Sequence, residues 1–487
     1  MPINSFLYPA PSTPSFGYDV ANSLRTNKSD QPRGVVTQGT PTNVDKYTFS
    51  VWVKRADIGA SNSKIFSVSS GSTYGEEKLE FNNDDLIWRH TRASDGETVW
   101  QRVTDRKFRD PSAWYNIIVA YDSSQGTAAN RCKMYINGVE ETSFSSSSNP
   151  SSGLDSYTNT SSRDFKFFTF HENSNTNQDA TAYFAELVYI DGQQLDQTSF
   201  GEFDSGSPNI WKPIDVSGLT FGNNGFYLDF EDSSALGNDV SGNNNDMTLT
   251  NISSTDQTTD TCTNNFATIN PLDNYFAQAT LSEGNTKVVT DSSAEAMNTS
   301  TFAMTKGKWY MEADFISGAG ARMCGITPTV SFQTSSHGKA GDVTPHTVTY
   351  IGGGAVQEGN GSGGQTQLAS YASYSTGDII GIYMDLDNMK AYFSKNGTLQ
   401  SSTGIDLDSL ATVNAAYGTG HYMFFVGDNN SGSLTCEANF GNGFQSLSSA
   451  VADDNGHGAF EYSPNITGDS EAKKFFACCS KNLAEFG

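Results

Sequence analysis

Lys133-Met134-Tyr135-Ile136-Asn137-Gly138-Val139-Glu140 reads as a strand, a two-residue turn and a second strand. Asn-Gly is the strongest short hairpin signal, because both residues tolerate the positive φ that a type I′ turn demands. Working outward, Ala185-Glu186-Leu187-Val188-Tyr189-Ile190-Asp191-Gly192 repeats the idea with Asp-Gly, and Lys390-Ala391-Tyr392-Phe393-Ser394-Lys395-Asn396-Gly397 repeats it with Asn-Gly. Tyr47 to Lys54 alternates aromatic and β-branched residues with small polar ones, the period of a strand. Trp114 to Tyr121 is an apolar run predicted to be buried on both faces. Lys64 to Val68, Lys78 to Phe81, Leu86 to Arg89, Gly307 to Phe315, Gly377 to Asp387 and Ala438 to Gly441 read as further strands. The best short helix candidate is Glu471 to Leu483, and no longer amphipathic helix is evident. Many short strands separated by turn signals predict antiparallel sandwiches.

Composition agrees. A chain of 487 residues is too long for one ordinary core. Charged residues are only 17%, below the usual proportion of about a quarter, and Ser, Thr, Asn and Gly fill the polar positions. These small polar residues favour turns over helix interiors. A net charge of -25 repels phosphate backbones and anionic membranes, which argues against nucleic-acid binding. It reads first as a solubility device and second as an attraction for cations such as Ca²⁺. Cys132, Cys262, Cys324, Cys436, Cys478 and Cys479 form no Cys-x-x-Cys pair and are expected as reduced, buried side chains. The opening residues lack the basic and apolar regions of a signal peptide, and no stretch reaches membrane-span length.

Residues of about 45–195 resemble the laminin-G-like, concanavalin-A-like sandwich. The resemblance is carried by YTFSVWVKR at 47–55, WYNIIVAYD at 114–122, KMYINGVEE at 133–141 and AELVYIDG at 185–192. Residues of about 277–450 resemble a SPRY domain, through GKWYMEADF at 307–315, GDIIGIYMDLDNMKAYFSKNG at 377–397 and ANFG at 438–441. The stretches 226–246 and 254–274, with the opening MPINSFLYPAPSTPSFGYDVANSLR, resemble virion proteins of marine phages, including those infecting cyanobacteria. FFACCSKNLAEFG at 475–487 resembles a boundary after which longer relatives continue. The fold expected is all-β: two antiparallel jelly-roll, concanavalin-A-like sandwiches joined by an irregular bridging segment. Its divisions are an N-terminal arm at 1–40, a laminin-G-like sandwich at 41–200, the bridge at 201–276, a SPRY-like sandwich at 277–450 and a C-terminal segment at 451–487.

The resemblance implies a non-enzymatic bacteriophage surface protein, a tail fibre, spike or capsid decoration, that binds host-surface glycan. The implied partners are other virion proteins, host polysaccharide and further copies of itself, a trimer being one arrangement. Nucleic acid and membrane insertion are not implied. Such a protein is made in the host cytoplasm and released by lysis onto the virion surface. The alternatives are a purely architectural head or tail protein and a polysaccharide depolymerase.

Hydrolases of this scaffold use a Glu-x-Asp-x-x-Glu strand. The closest match, Glu312 to Ser317, has Ser317 where the last carboxylate would stand, so no catalytic residue is assigned. Asp385 and Asp387 share a face but read as hairpin residues. None of the histidines has a metal-site companion, no nucleophile-elbow motif occurs, and the glycine runs at 352–354 and 361–364 lack the Lys-Ser/Thr of a phosphate loop. Asp239, Asn243, Asn244 and Asp246, or Asp84 and Asp85, offer oxygens for calcium, although such runs are more often turns. Trp88, His90, Trp100 and Arg102, near Arg89 and Arg92, form the candidate glycan patch, because exposed aromatics stack on sugar faces. The competing reading turns Trp88 into the core. Trp52, Trp114 and Trp309 are expected to be core.

Overall fold

The computed structural model describes residues 17–71, 74–169, 179–276, 279–290, 296–318, 321–328, 347–359, 365–408, 410, 420–428, 432–444, 446–467 and 473–487. The opening at 1–16 and the glycine run at 361–364 lie outside them. The regular structure of the described residues is almost all antiparallel strand, folded as two sandwiches of concanavalin-A-like, jelly-roll type.

In the first sandwich, one sheet runs in the order Val139–Glu140, Cys132–Ile136, Trp114–Asp122, Lys46–Arg55, Ala182–Asp191, Ser23–Thr26, Gln257–Thr258. The facing sheet runs Phe144–Ser148, Thr98–Thr104, Asp85–Thr91, Glu76–Asn82, Ser63–Ser69, Asp164–Phe167, Arg33–Thr37, Thr248–Thr250. The period of two sorts the side chains of Lys46–Arg55. Tyr47, Phe49, Val51 and Val53 point between the sheets, against Phe66, Leu79 and Trp88. Thr48, Ser50, Trp52 and Lys54 point to the outer face, yet they too are buried. The segment at 195–230 covers part of that face with Phe200, Val216, Phe221 and Tyr227, and the junction with the second sandwich covers the rest. Strand Ala182–Asp191 is therefore buried along its whole length.

The second sandwich packs the sheet Ile269–Phe276, Ala296–Ser300, Tyr422–Asp428, Arg322–Pro328, Val348–Ile351, Ala355–Gly359, Gln365–Ser370 against one centred on Lys308–Gly318. That strand lies between Leu434–Asn439 and Ile379–Asp385. Trp309, Met311, Ala313 and Phe315 fill the space between the sheets. On the outer face, Tyr310, Tyr383 and Tyr392 are roofed by Phe460, Ile466 and Phe475.

Three segments depart from the divisions expected. The arm supplies Ser23–Thr26 and Arg33–Thr37 to the first sandwich. The bridge is woven into the same sandwich: Thr248 pairs with Val35, Ser23 with Thr258, and Phe226–Leu228 with Ala182–Asp191. These strands are two to five residues long, too short to show a period. The C-terminal segment contributes Phe476–Ala477, parallel to Lys308–Gly318, and a helix at Ser480–Phe486, later than the stretch expected. All six cysteines are unpaired; five are buried and Cys262 is half-buried. No helix among the described residues is long and apolar enough to cross a membrane.

Candidate functional site

The expected aromatic patch is not a surface. Leu86, Trp88 and His90 alternate onto the inner face of Asp85–Thr91, and Trp100 and Arg102 do the same on the neighbouring strand. Trp88 and Trp100 meet edge to face at 4.7 Å, and Trp88 Nε1 donates to the Tyr47 hydroxyl at 3.2 Å. His90 Nδ1 lies 3.1 Å from Glu77 Oε2, its ring stacked on Tyr157. Arg102 donates to Ser148 O and Asn149 Oδ1 and lies over the Phe144 ring. All four candidates are buried, so none presents a ring to an external sugar. The correction follows from strand alternation, which turns Trp88 and His90 to the same side as Leu86.

The calcium candidates are turn residues. Asp239 Oδ1 accepts the amides of Tyr227 and Ser241, both at 2.9 Å, and Oδ2 accepts that of Asn245 at 2.8 Å. Asp246 accepts the Asp239 amide, and Asn243 donates to the carbonyls of Gly222 and Gly225. Asn244 is the left-handed residue of the turn, with φ of 57°. The carboxylate oxygens face backbone N–H groups rather than a common centre, so this set does not fit a cation. Asp84 and Asp85 are engaged by Arg109, Arg55 and Lys107. Among the described residues no group of three or more His, Cys, Asp or Glu side chains converges.

The depolymerase strand is likewise committed to structure. Glu312 is fully buried and accepts hydrogen bonds from Tyr310 Oη, Asn439 Nδ2 and the amides of Glu461 and Tyr462. Burial pushes its carboxyl up to about 7 against those four donors. Its role is to tie the C-terminal segment to the outer face of the sheet. Asp314, pushed up to about 6 by burial and by Glu437 and Glu461, has no acid/base partner where Ser317 stands. Asp385 pairs with Lys308 and Asn388, and Asp387 accepts the Gly307 amide.

What the structure does form is a cleft of about 930 Å³ between the two sandwiches. Its first wall is indole. Trp52 and Trp114 leave the outer face of the first sandwich, and Trp211 joins them from Trp211–Pro213, which pairs with Gly201–Phe203. Trp52 and Trp114 were expected in a core and are buried, on the outer face of the sheet; Trp211 is buried with them at 8% exposure, so only ring edges reach the cleft. The indole N–H groups are consumed inside: Trp114 Nε1 donates to Asp260 Oδ1 at 3.2 Å and Trp211 Nε1 to Asn116 Oδ1 at 3.0 Å. Trp211 rests on the Asn137-Gly138 turn. A Cβ on Gly138 would lie 2.1 Å from its ring, so only glycine allows this seat.

The opposite wall is polar and comes from the C-terminal segment. Ser480, Lys481, Ala484 and Glu485 share one face of the terminal helix, beside His457. Lys481 Nζ is 3.0 Å from Asp19 Oδ1 at the edge of the cleft. Burial pulls the His457 imidazole below its usual range, and its ring makes no hydrogen bond among the described residues. Asn137, whose Oδ1 accepts the Asn116 amide, also lines the cleft.

The base is a buried ion pair. Lys54 Nζ donates to Asp260 Oδ2 at 2.8 Å, Asn265 Oδ1 at 2.8 Å and the Phe266 carbonyl at 2.9 Å. Burial lowers the Lys54 ammonium and raises the Asp260 carboxyl, each opposed by the other's charge. Asn265 Nδ2 also donates to Ser112 O and its backbone amide donates to Ser480 Oγ, so one residue connects the first sandwich, the bridge and the terminal helix. Sequence reasoning missed Trp211, His457 and Lys481; each is ordinary in its local context.

A laminin-G family model, described as the concanavalin A-like lectin/glucanases superfamily, matches residues 30–171. The first sandwich thus carries a laminin-G-like, concanavalin-A-like domain. Among solved structures, the SPRY domain of human HERC1 is 14% identical, with 35% of this chain and 96% of that one covered and a TM-score of 0.27. Domains LG4-5 of the mouse laminin alpha1 chain are 11% identical, covering 87% of this chain and 88% of that one, TM-score 0.29. A heptameric SAP-like pentraxin from Limulus polyphemus is 13% identical, covering 37% and 80%, TM-score 0.28. No curated protein matches the chain.

Proposed function

We propose that this chain is a non-catalytic glycan-binding protein of a virion surface, and that the cleft between its sandwiches holds the sugar. The single observation that carries the binding claim is the asymmetry of the cleft: the uncovered edges of three largely buried indoles, continued by the exposed Ile210, on one wall and hydrogen-bonding side chains on the other. A pyranose has the matching asymmetry, an apolar C–H face and a rim of hydroxyls. Aromatic area supplies most of the affinity in such a site and a few placed polar groups supply orientation. The lectin-type fold of the first sandwich supports the same reading. A non-catalytic role is supported by the commitment of Glu312 to four structural hydrogen bonds. The virion setting rests on the sequence resemblance. Several copies held together, as in a trimer, would turn weak single-site binding into firm attachment.

The test is a glycan array probed with the full chain and with Trp211→Ala, followed by adsorption of particles to host cells in the presence of the free protein. Binding lost in the variant, with adsorption blocked by the wild type, is the expected result. Absence of binding to every host glycan, with contacts only to particle neighbours in a reconstruction, would replace this reading with the architectural one.

A further inference from the structure

We infer that the cleft selects a neutral oligosaccharide of more than one unit over a sulfated or uronate-rich one; this rests on the reading above that the cleft binds sugar. Charge is the first ground. Two carboxylates, Asp19 and Glu485, line the cleft against one ammonium, Lys481, and that ammonium is already paired with Asp19 at 3.0 Å. Among the described residues no arginine lines it. A sulfate or carboxylate entering would therefore meet no uncommitted cation, within a chain of net charge -25. His457 does not change the balance at neutral pH, because burial holds it towards the uncharged form. Its ring, with the Asn137 side chain, suits hydroxyl groups, which both donate and accept.

Extent is the second ground. The apolar surface does not end at the cleft. The Phe203 ring packs edge-on against Trp211 with centroids 5.0 Å apart, and Phe203 is 43% exposed. Ile210 lines the cleft and is 37% exposed. Together they extend the apolar surface outward from Trp211. They make a shelf leading outward from the indoles, where the next sugar of a chain would rest its C–H face. The hairpin strands Gly201–Phe203 and Trp211–Pro213 carry both the shelf and Trp211, so the two subsites are fixed relative to each other.

The experiment uses the full chain on an array of neutral, uronate and sulfated glycans, in mono- and oligosaccharide form, read at low and high salt. Three variants accompany it: Trp211→Ala for the cleft, and Phe203→Ala and Ile210→Ser for the shelf. The shelf residues are exposed, so these two changes leave folding intact. The inference expects neutral hits whose affinity moves less than about twofold with salt. It also expects the shelf variants to weaken oligosaccharides by about tenfold and monosaccharides hardly at all. Hits confined to sulfated or uronate glycans, weakening steeply with salt and lost in Trp211→Ala, overturn the inference and leave the cleft reading standing. Equal losses for mono- and oligosaccharides in the shelf variants overturn the second subsite. Binding unaffected by Trp211→Ala in a folded variant overturns both readings.

Discussion

Glu186 sits at the middle of a strand buried along its whole length, with φ of 50°, where the register with Lys46–Arg55 slips between Ala185 and Val188. A non-glycine residue in the left-handed region carries a conformational cost and persists because its surroundings demand it. The bulge turns the carboxylate onto the Tyr18 and Tyr227 hydroxyls, at 3.2 and 2.7 Å, and so pins the N-terminal strap to the sheet. Burial pushes Glu186 up to about 7, opposed by those hydroxyls, and Glu312 stands at a similar value. A raised value means that the folded state holds its proton better than the unfolded chain does. That stabilisation is complete below the ordinary carboxyl value of 4.5 and is lost as pH rises through about 7. Each group then contributes on the order of 3 kcal/mol at most. The expected outcome is a lower Tm at about pH 8 than at about pH 5.5, with the difference reduced in Glu186→Gln. Identical pH dependence of Tm in the wild type and the variant would count against this account. The sequence showed Glu186 only as a strand residue, since a bulge is set by the partner strand.

At the scale of elements, the two Asn-Gly hairpins share one design. Asn137 and Gly138 have φ of 48° and 76°, and Asn396 and Gly397 have 48° and 74°. In each, the asparagine Oδ1 accepts an amide of the neighbouring strand: Asn116 at 2.7 Å and Ile379 at 2.8 Å. In each, the missing Cβ leaves room for an aromatic of a covering segment, Trp211 in the first sandwich and Tyr462 in the second. The turns were legible because positive φ is a local demand on residue type. The aromatics were not, because Trp211 and Tyr462 arrive from 73 and 65 positions further along. Gly138→Ala and Gly397→Ala should each cost about 2 kcal/mol or more in chemical denaturation, from positive φ plus overlap with the ring. Only Gly138→Ala should weaken sugar binding, since only Trp211 lines the cleft. Equal effects on binding would show that the turn acts through stability alone.

At the scale of the whole molecule, the two sandwiches are joined by buried polar contacts. Lys54, paired with Asp260 of the bridge, donates across the junction to the Phe266 carbonyl at 2.9 Å, Tyr183 Oη donates to Gly284 O at 2.8 Å and Asn285 Nδ2 to Ala56 O at 3.0 Å. Removing one member of a buried pair strands the other, so Lys54→Ala should cost about 3–5 kcal/mol. Calorimetry should show one unfolding transition in the wild type and two in Lys54→Ala, because the sandwiches would no longer unfold together. The double change Lys54→Met with Asp260→Leu should recover part of the loss, because no charge is then left buried alone, while Trp114 Nε1 and the Phe266 amide lose an acceptor. A Tm for Lys54→Ala equal to the wild type would sink this view of the junction. Read by itself, the sequence determined the strand class, the two Asn-Gly hairpins and the burial of Trp309, because period two and positive φ act between neighbours; the Asp191-Gly192 turn that it also suggested closes no hairpin, since Ala182–Asp191 pairs with Lys46–Arg55, Ser23–Thr26 and the later Phe226–Leu228. It did not show that Ser23–Thr26 and Gln257–Thr258 form one edge, for strands of two to four residues carry no periodic signal. It offered Trp88 and Trp100 as a surface patch against a competing reading that turned Trp88 into the core, and it placed Trp52 and Trp114 in a core, where both are buried, without showing that they are covered on the outer face of the sheet. Alternation separates the two faces of a sheet without saying which face a distant segment will cover. Only the tertiary structure decided that, by bringing Trp52, Trp114 and Trp211 opposite His457 and Lys481 across one cleft.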